Sequence, residues 1–370
     1  MALARARVSF KARAGGYAPA RRGPSGPHAL DARVRQHISG AWAASTMRSS
    51  PSQVQCFLQY SAGEGVSIDM VLPASEVLLC GYVAALSGTM SGDAIRARLR
   101  HVHRWHLTEG APWRGGKMLE LALRAAKNAE PQTGRRQKRE PITLDMLDAL
   151  STDLDLAKPV DAAIFCAATV AFHGQLRLGE LLAPVMDIRR FNSARQPTGR
   201  DLHLLNARGS FTLHLPYTKV ATVKGEEVAI CRQDGPSDPI EATRNHCILN
   251  RIGEHTPLAS YVHHGKRIAL TSNTMLRRCN AIWQKRGLKR YTGHCFRIGG
   301  TTHFLLCGVN PDVVRALGRW SSSAFLKYWR SVSILATLHI ERQCGGRGCT
   351  RAARRELRPC GFRRRAFRRA

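Results

Sequence analysis

The stretch GHCFRIGGTTHFLLCGV, residues 293–309, decides how this chain is read. Its apolar positions recur at helical spacing. His294 and Arg297 stand three residues apart at its start, and so share one helix face. A helix start already favours anions, because its first amides point outward without intrahelical partners. Downstream lies ALGRWSSSAFLKYWR, residues 316–330, two short helical pieces joined by serines. Trp320 precedes the serines, and Tyr328 stands between Lys327 and Trp329, with Arg330 following. Aromatic residues at helical spacing are ordinarily core, and Phe325 and Leu326 fit that reading. A tyrosine rimmed by cations suits a phosphate better than an oily interior.

The composition points the same way. The 370 residues carry 57 Lys and Arg against 26 Asp and Glu, a net charge of +31. A chain so basic needs a polyanionic partner, and double-stranded DNA rewards spread-out cations by releasing counterions. A basic packing protein is the plain alternative, but 44% hydrophobic content supports folded domains. Residues 1–40 hold eight Arg and Lys against one acid, and residues 341–370 hold eleven Arg against two Glu. The tails therefore supply only about half of the excess. The eleven cysteines follow no framework-like spacing and read as reduced core residues of an intracellular protein. No apolar run reaches the ~18 residues of a membrane span. The Arg-rich start reads as a basic tail that contacts DNA or directs the chain to the nucleus, with a mitochondrial presequence as the lesser alternative.

Working outward, residues 1–51 read as a disordered basic tail. Residues 52–129 read as a small helical domain, with helices over 73–88, 91–110 and 116–129. The second of these starts at an Asp cap. It places Ile95, Leu99 and Val102 on one face and Arg96, Arg98, Arg100 and Arg104 on the other. That basic face lacks acidic partners, so phosphate contact is the better reading over a solvated face. His101, His103 and His106 have no Cys or carboxylate beside them and read poorly as a metal site; no metal is expected. EPQTGRRQKREP, residues 130–141, reads as a basic linker whose Arg135, Arg136, Lys138 and Arg139 are further DNA-contact candidates. Residues 142–340 read as a mainly helical α+β domain. Its one small antiparallel sheet lies over 201–230, and helices return from about 238. An Arg-rich tail, 341–370, closes the chain.

The second domain holds unusual polar residues in four separate segments. GQLRLGELL puts Arg177 one helical turn before Glu180, which alone reads as an intrahelical ion pair. LPYTKVATVKGEE sets Lys219 and Lys224 around a hairpin tip. The 293–309 segment adds His294 and Arg297, and the next adds Trp320 and Tyr328. Arg, Lys, His-x-x-Arg, Trp and Tyr in this order resemble the tyrosine recombinase (phage integrase) family. The HCFRIGGTTHFL and AFLKYWR segments most resemble the recombinases of fungal mobile elements, of the crypton and DIRS-like kind. The resemblance covers roughly residues 52–340, with the first helical unit similar to a core-binding (SAM-like) domain.

The resemblance implies a fold and a chemistry. It implies a mainly α chain: a helical core-binding domain, then a mixed α+β catalytic domain. Tyr328 would attack a DNA phosphodiester without metal, ATP or other cofactor, leaving a 3′-phosphotyrosyl link and a free 5′-hydroxyl. Arg177 and Arg297 would clamp the nonbridging oxygens, and Trp320 would donate its indole N–H to them. Lys219 would protonate the leaving oxygen, with Lys224 as the fallback. His294 would handle the tyrosine proton, and Glu180 would support the site. The expected partner is double-stranded DNA, with self-association on paired sites. A type IB topoisomerase and a decayed, DNA-binding copy are the competing functions.

Overall fold

The computed structural model describes residues 32–42, 44–131, 139–320 and 325. The chain divides into two compact units, Met1–Gln137 and Lys138–Ala370.

Among the described residues of the first unit five α-helices run in order: α1 (Ala32–Ser39), α2 (Ala44–Gly63), α3 (Glu76–Leu86), α4 (Gly92–Glu109) and α5 (Lys117–Asn128). Their core gathers Phe57, Leu79, Tyr82, Val83, Ile95, Leu99, Val102, Leu119 and Leu123. Short-range chemistry sets the helix ends. The Ser75 hydroxyl accepts from the Leu78 amide and the Ser91 hydroxyl from the Ala94 amide. Gly110, at φ 72°, closes α4 in the left-handed conformation. Gly116 begins α5 without a capping side chain. Glu76 of α3 caps that end instead, accepting from Gly116 N at 2.7 Å and Leu119 N at 3.0 Å. Two expectations change here. The cap of α4 is Ser91, with Asp93 only in its first turn. Helical structure also begins at Ala32, inside the stretch expected as a disordered tail, and α2 runs through Pro51 rather than starting after it. Residues 1–31 lie outside the described residues.

The second unit opens with α6 (Leu144–Asp153), α7 (Pro159–His173) and the single turn α8 (Leu178–Leu181). A three-stranded antiparallel sheet follows, in order β1 (Leu202–Leu204), β2 (Phe211–Leu215), β3 (Glu226–Ile230). Then come α9 (Pro239–Leu249), a hairpin of β4 (Ser260–His263) and β5 (Lys266–Ala269), and α10 (Ser272–Lys285), α11 (His294–Leu306) and α12 (Pro311–Leu317). The mainly helical class with small antiparallel sheets is as expected. The β4–β5 hairpin is not, since that stretch was read as helical. Its two-residue turn, His264 and Gly265 at φ 46° and 73°, twists in the sense that hairpins favour.

Every residue of α7 from Asp161 to His173 is buried, so this helix is the axis of the unit. Around it close Leu147, Leu150, Leu213, Val228, Ile282, Trp283 and Phe296. The adjacent glycines Gly299 and Gly300 explain how α11 reaches α7. A Cβ on Gly300 would run into the Phe172 carbonyl, and one on Gly299 into the Ile142 carbonyl. Their absence of side chain lets the helix backbones approach, which brings Arg297 to the end of α7. Among the described residues no helix is long and apolar enough to cross a membrane.

Candidate active site

The site begins where α7 ends. Gln175 is fully buried and sits in the left-handed region, at φ 49°, so the chain turns sharply after His173. Its backbone carbonyl accepts from Arg297 Nη1 at 2.5 Å. Its side-chain oxygen accepts from the Thr301 hydroxyl at 2.7 Å, and its amide nitrogen donates to the Val314 carbonyl at 3.3 Å. One residue thus joins α7, α11 and α12. Arg297 is fully buried. Its second terminal nitrogen donates to the Gly318 carbonyl at 2.5 Å, and its face lies 3.9 Å from the centre of the Trp320 ring. Both terminal nitrogens of the arginine expected as a phosphate clamp are thus held by backbone carbonyls.

Two residues past Gln175, Arg177 is the N-cap of α8 and Glu180 its third residue. Glu180 reaches back, with Oε2 accepting from the Arg177 amide at 2.9 Å and Oε1 from Arg177 Nη1 at 2.6 Å. The ion pair expected from spacing is therefore real, at a helix start rather than along a helix face. Glu180 is buried, whereas the Arg177 side chain keeps 34% exposure. A third charge joins them that sequence reasoning passed over. Arg319 Nη2 donates to Glu180 Oε2 at 2.8 Å, and Arg319 Nε lies 3.3 Å from Glu226 Oε2 at the start of β3. The Arg319 side chain is 7% exposed, and its backbone holds φ 54°. Burial lowers its pKa below the ordinary arginine value, while Glu180 and Glu226 act the other way. Nothing in the spacing of GRW marks this arginine; only its left-handed backbone and its partners do.

Lys219 sits on the loop 216–225 that joins β2 to β3, and both it and Lys224 are exposed. Buried Thr218 shapes the turn. Its amide donates to the Ala221 carbonyl, and its hydroxyl accepts from the Val220 and Ala221 amides. Gly225, at φ 67°, closes the loop where a Cβ would strike the Leu215 carbonyl. His294 is the half-buried first residue of α11. Phe325 is buried against Leu305 and Val314, with its ring 6.4 Å from that of Trp320, which is the packing role expected of it. Tyr328 lies outside the described residues, as does the tail 341–370. The structure thus brings together Arg177, Glu180, Arg297 and Trp320 through Gln175 and Gly318.

In the first unit Arg96 and Arg100 are exposed and line a cavity of about 260 Å³ with His103 and Trp113. Arg98 lies on another side of α4, beside the Tyr82 hydroxyl. Arg104 turns back onto the molecule, with its guanidinium 5.3 Å from the Trp42 ring centre and a bond to the Ser50 hydroxyl. The expectation of four arginines on one face therefore holds for Arg96 and Arg100 alone. The three histidines diverge. His106 bonds to Val102 O and Ala74 N, His103 stacks on Trp113, and His101 bonds to Ser50. Arg139 is exposed, and Arg135, Arg136 and Lys138 lie outside the described residues.

No protein-family model and no curated protein matches the sequence. Solved structures do. The Tn1549 transposon integrase, in complex with transposon right end DNA, is 15% identical. The match covers 84% of this chain and 96% of that one at a TM-score of 0.53. A lambda integrase dimer bound to a core site is 14% identical, covering 85% of this chain and 96% of that one at 0.50. The fold is that of the tyrosine recombinases. At these identities the likeness is one of fold, and the chemistry rests on the residues themselves.

Proposed function

We propose that this chain is a site-specific DNA recombinase or integrase that breaks and rejoins strands through Tyr328. The observation that carries the reading is the Arg177–Glu180–Arg319 cluster, whose Glu180 and Arg319 are buried, beside the caged Arg297. Arginines seldom enter a protein interior without a task, because removing a charge from water is costly. Here they gather at the end of α7, in a chain whose next aromatic segment carries Tyr328. In the proposed step the Tyr328 oxygen bonds to phosphorus and the bond from phosphorus to the 5′-oxygen breaks. The leaving oxygen takes a proton from Lys219, and His294 receives the phenol proton. Arg177, the most open of the site arginines, contacts the nonbridging oxygens, the caged Arg297 adds its positive charge from behind, and Trp320 adds its indole N–H. The ester keeps the energy of the broken bond, so a 5′-hydroxyl from another strand reverses the step.

The helical first unit, with Arg96 and Arg100 outward, supplies phosphate contacts along the duplex. Several copies act on paired sites, and the likeness of the 294–305 and 324–330 segments to fungal mobile-element recombinases makes a mobile element the source. The test needs no known site. The purified chain is incubated with negatively supercoiled plasmid and chelator, quenched with detergent, and assayed for DNA held covalently on protein, with Tyr328→Phe alongside. A wild-type adduct that the variant lacks is expected. Salt-sensitive DNA binding with no adduct from either would leave a DNA-binding protein instead. An adduct that survives Tyr328→Phe would mean that another residue attacks.

A further inference from the structure

Arg319 takes no part in the proposed chemical step, yet its placement is unusual. It follows α12, whose last carbonyl neighbour, Gly318 O, holds Arg297, and it precedes Trp320, whose ring stacks on Arg297. Its own side chain points elsewhere, to Glu180 and Glu226. Glu226 is the first residue of β3 and pairs with Leu215, the last of β2. That pair is the base of the loop carrying Lys219. Glu180, on the other side, holds Arg177 by two hydrogen bonds. A single buried guanidinium therefore spans the carboxylate that holds Arg177 and the base of the hairpin that carries Lys219. The guanidinium turns Nη2 to one carboxylate and Nε to the other in one rigid plane, a fixed geometry that a lysine ammonium does not supply. A left-handed backbone at a non-glycine residue is uncommon, and here it turns the side chain into that gap.

We propose that Arg319 is a positioning residue: it fastens the base of the β2–β3 hairpin to the Glu180–Arg177 pair and so sets Lys219 against the leaving 5′-oxygen. The proposal rests on the function proposed above for its chemical half, and on the described contacts alone for its mechanical half. The two halves are separable.

The mechanical half is read by amide hydrogen exchange on the full chain. Arg319→Met and Glu226→Gln are each expected to speed exchange at residues 215–226 about tenfold or more, while α7 and α10 keep their protection. The Glu226 variant keeps the buried arginine paired with Glu180, so it folds even where Arg319→Met does not. Unchanged hairpin exchange in the Glu226 variant overturns the proposal, whatever the DNA does.

The chemical half is read with a duplex spanning the cleavage position mapped on plasmid, in two versions. One carries the ordinary 5′-bridging oxygen, the other sulfur. A thiolate leaves without a proton, because its conjugate acid has a pKa near 8.5, so a defect in proton donation vanishes on sulfur. Losing a correctly placed donor costs about 10²-fold or more on oxygen. Arg319→Met, Glu226→Gln and the reference Lys219→Ala are expected to lose that much on oxygen and return to within about threefold of wild type on sulfur. Arg177→Ala, which removes a phosphate contact, is expected to stay slow on both. If Arg319→Met stays slow on sulfur, Arg319 contacts the phosphate or the fold, and the proposal is overturned. If wild type forms no adduct, the recombinase reading fails on its own, and hydrogen exchange still decides the fastening.

Discussion

Glu180→Ala is the sharpest structural perturbation. Glu180 is buried and accepts three hydrogen bonds: from the Arg177 amide at 2.9 Å, Arg177 Nη1 at 2.6 Å and Arg319 Nη2 at 2.8 Å. Alanine removes all three acceptors at once. Arg177, at 34% exposure, turns to water and loses little. Arg319 cannot do so, because its side chain is 7% exposed and keeps only Glu226 at 3.3 Å. Removing one partner of a buried charge costs about 3–5 kcal/mol, most of it the stranded charge. The orphaned amide of Arg177 falls within that range. With an m-value of about 2 kcal/mol per M in urea, the unfolding midpoint should fall by roughly 2 M. Glu180→Gln keeps the volume and one acceptor, so its fall should be about half as large. The exposed Arg189–Asp187 pair provides the control, and Asp187→Ala should leave the midpoint unchanged. The measurement is urea unfolding of the full chain followed by tryptophan fluorescence. A shift below about 0.3 M for Glu180→Ala would refute the reasoning, because it would mean that Arg319 is hydrated.

Three further outcomes follow from named contacts. Burial lowers His173 to about 3 and His246 to about 4, so both fold neutral. The unfolded chain binds their protons near pH 6.5, so stability is full above that and falls as pH drops. The loss reaches about 2 kcal/mol per histidine at pH 5, and His173→Phe should flatten the pH dependence of the urea midpoint. Gly225→Ala places a side chain at φ 67° against the Leu215 carbonyl, and should cost roughly 2 kcal/mol. Limited proteolysis should then cut first within 216–225; an unchanged cleavage pattern would count against that loop geometry. Gln175→Ala removes the acceptor of Thr301 and the donor to Val314 but keeps the carbonyl that holds Arg297. A stability loss of about 2 kcal/mol is expected, and thermal unfolding checks it.

Much of this was legible because local rules and tertiary demands agree. The α7 segment lies in the domain read as mainly helical, and its residues from Asp161 to His173, apolar at nearly every position, are all buried. Arg177 and Glu180 read as a pair from their spacing, and they are one. The β4–β5 hairpin was missed although Tyr261, Ile268 and a His-Gly turn carry its signal; the helical segments on both sides drew the reading across it. Arg104 was placed on a phosphate-facing side because the tryptophan that claims it, Trp42, lies in a stretch whose composition looks unfolded. Arg319 and Gln175 were beyond reach for a different reason. Each acts through backbone geometry, a positive φ at a non-glycine residue, joining segments more than a hundred residues apart. No periodicity encodes that.

The central claim is that Tyr328 becomes joined to DNA. Digesting the detergent-quenched plasmid adduct with nuclease and trypsin, then sequencing the nucleotide-bearing peptide by mass spectrometry, tests it at the level of a single atom. The account predicts a nucleotide linked through its 3′-phosphate to Tyr328. A nucleotide on another residue, or a 5′-phosphate linkage on Tyr328, would contradict it.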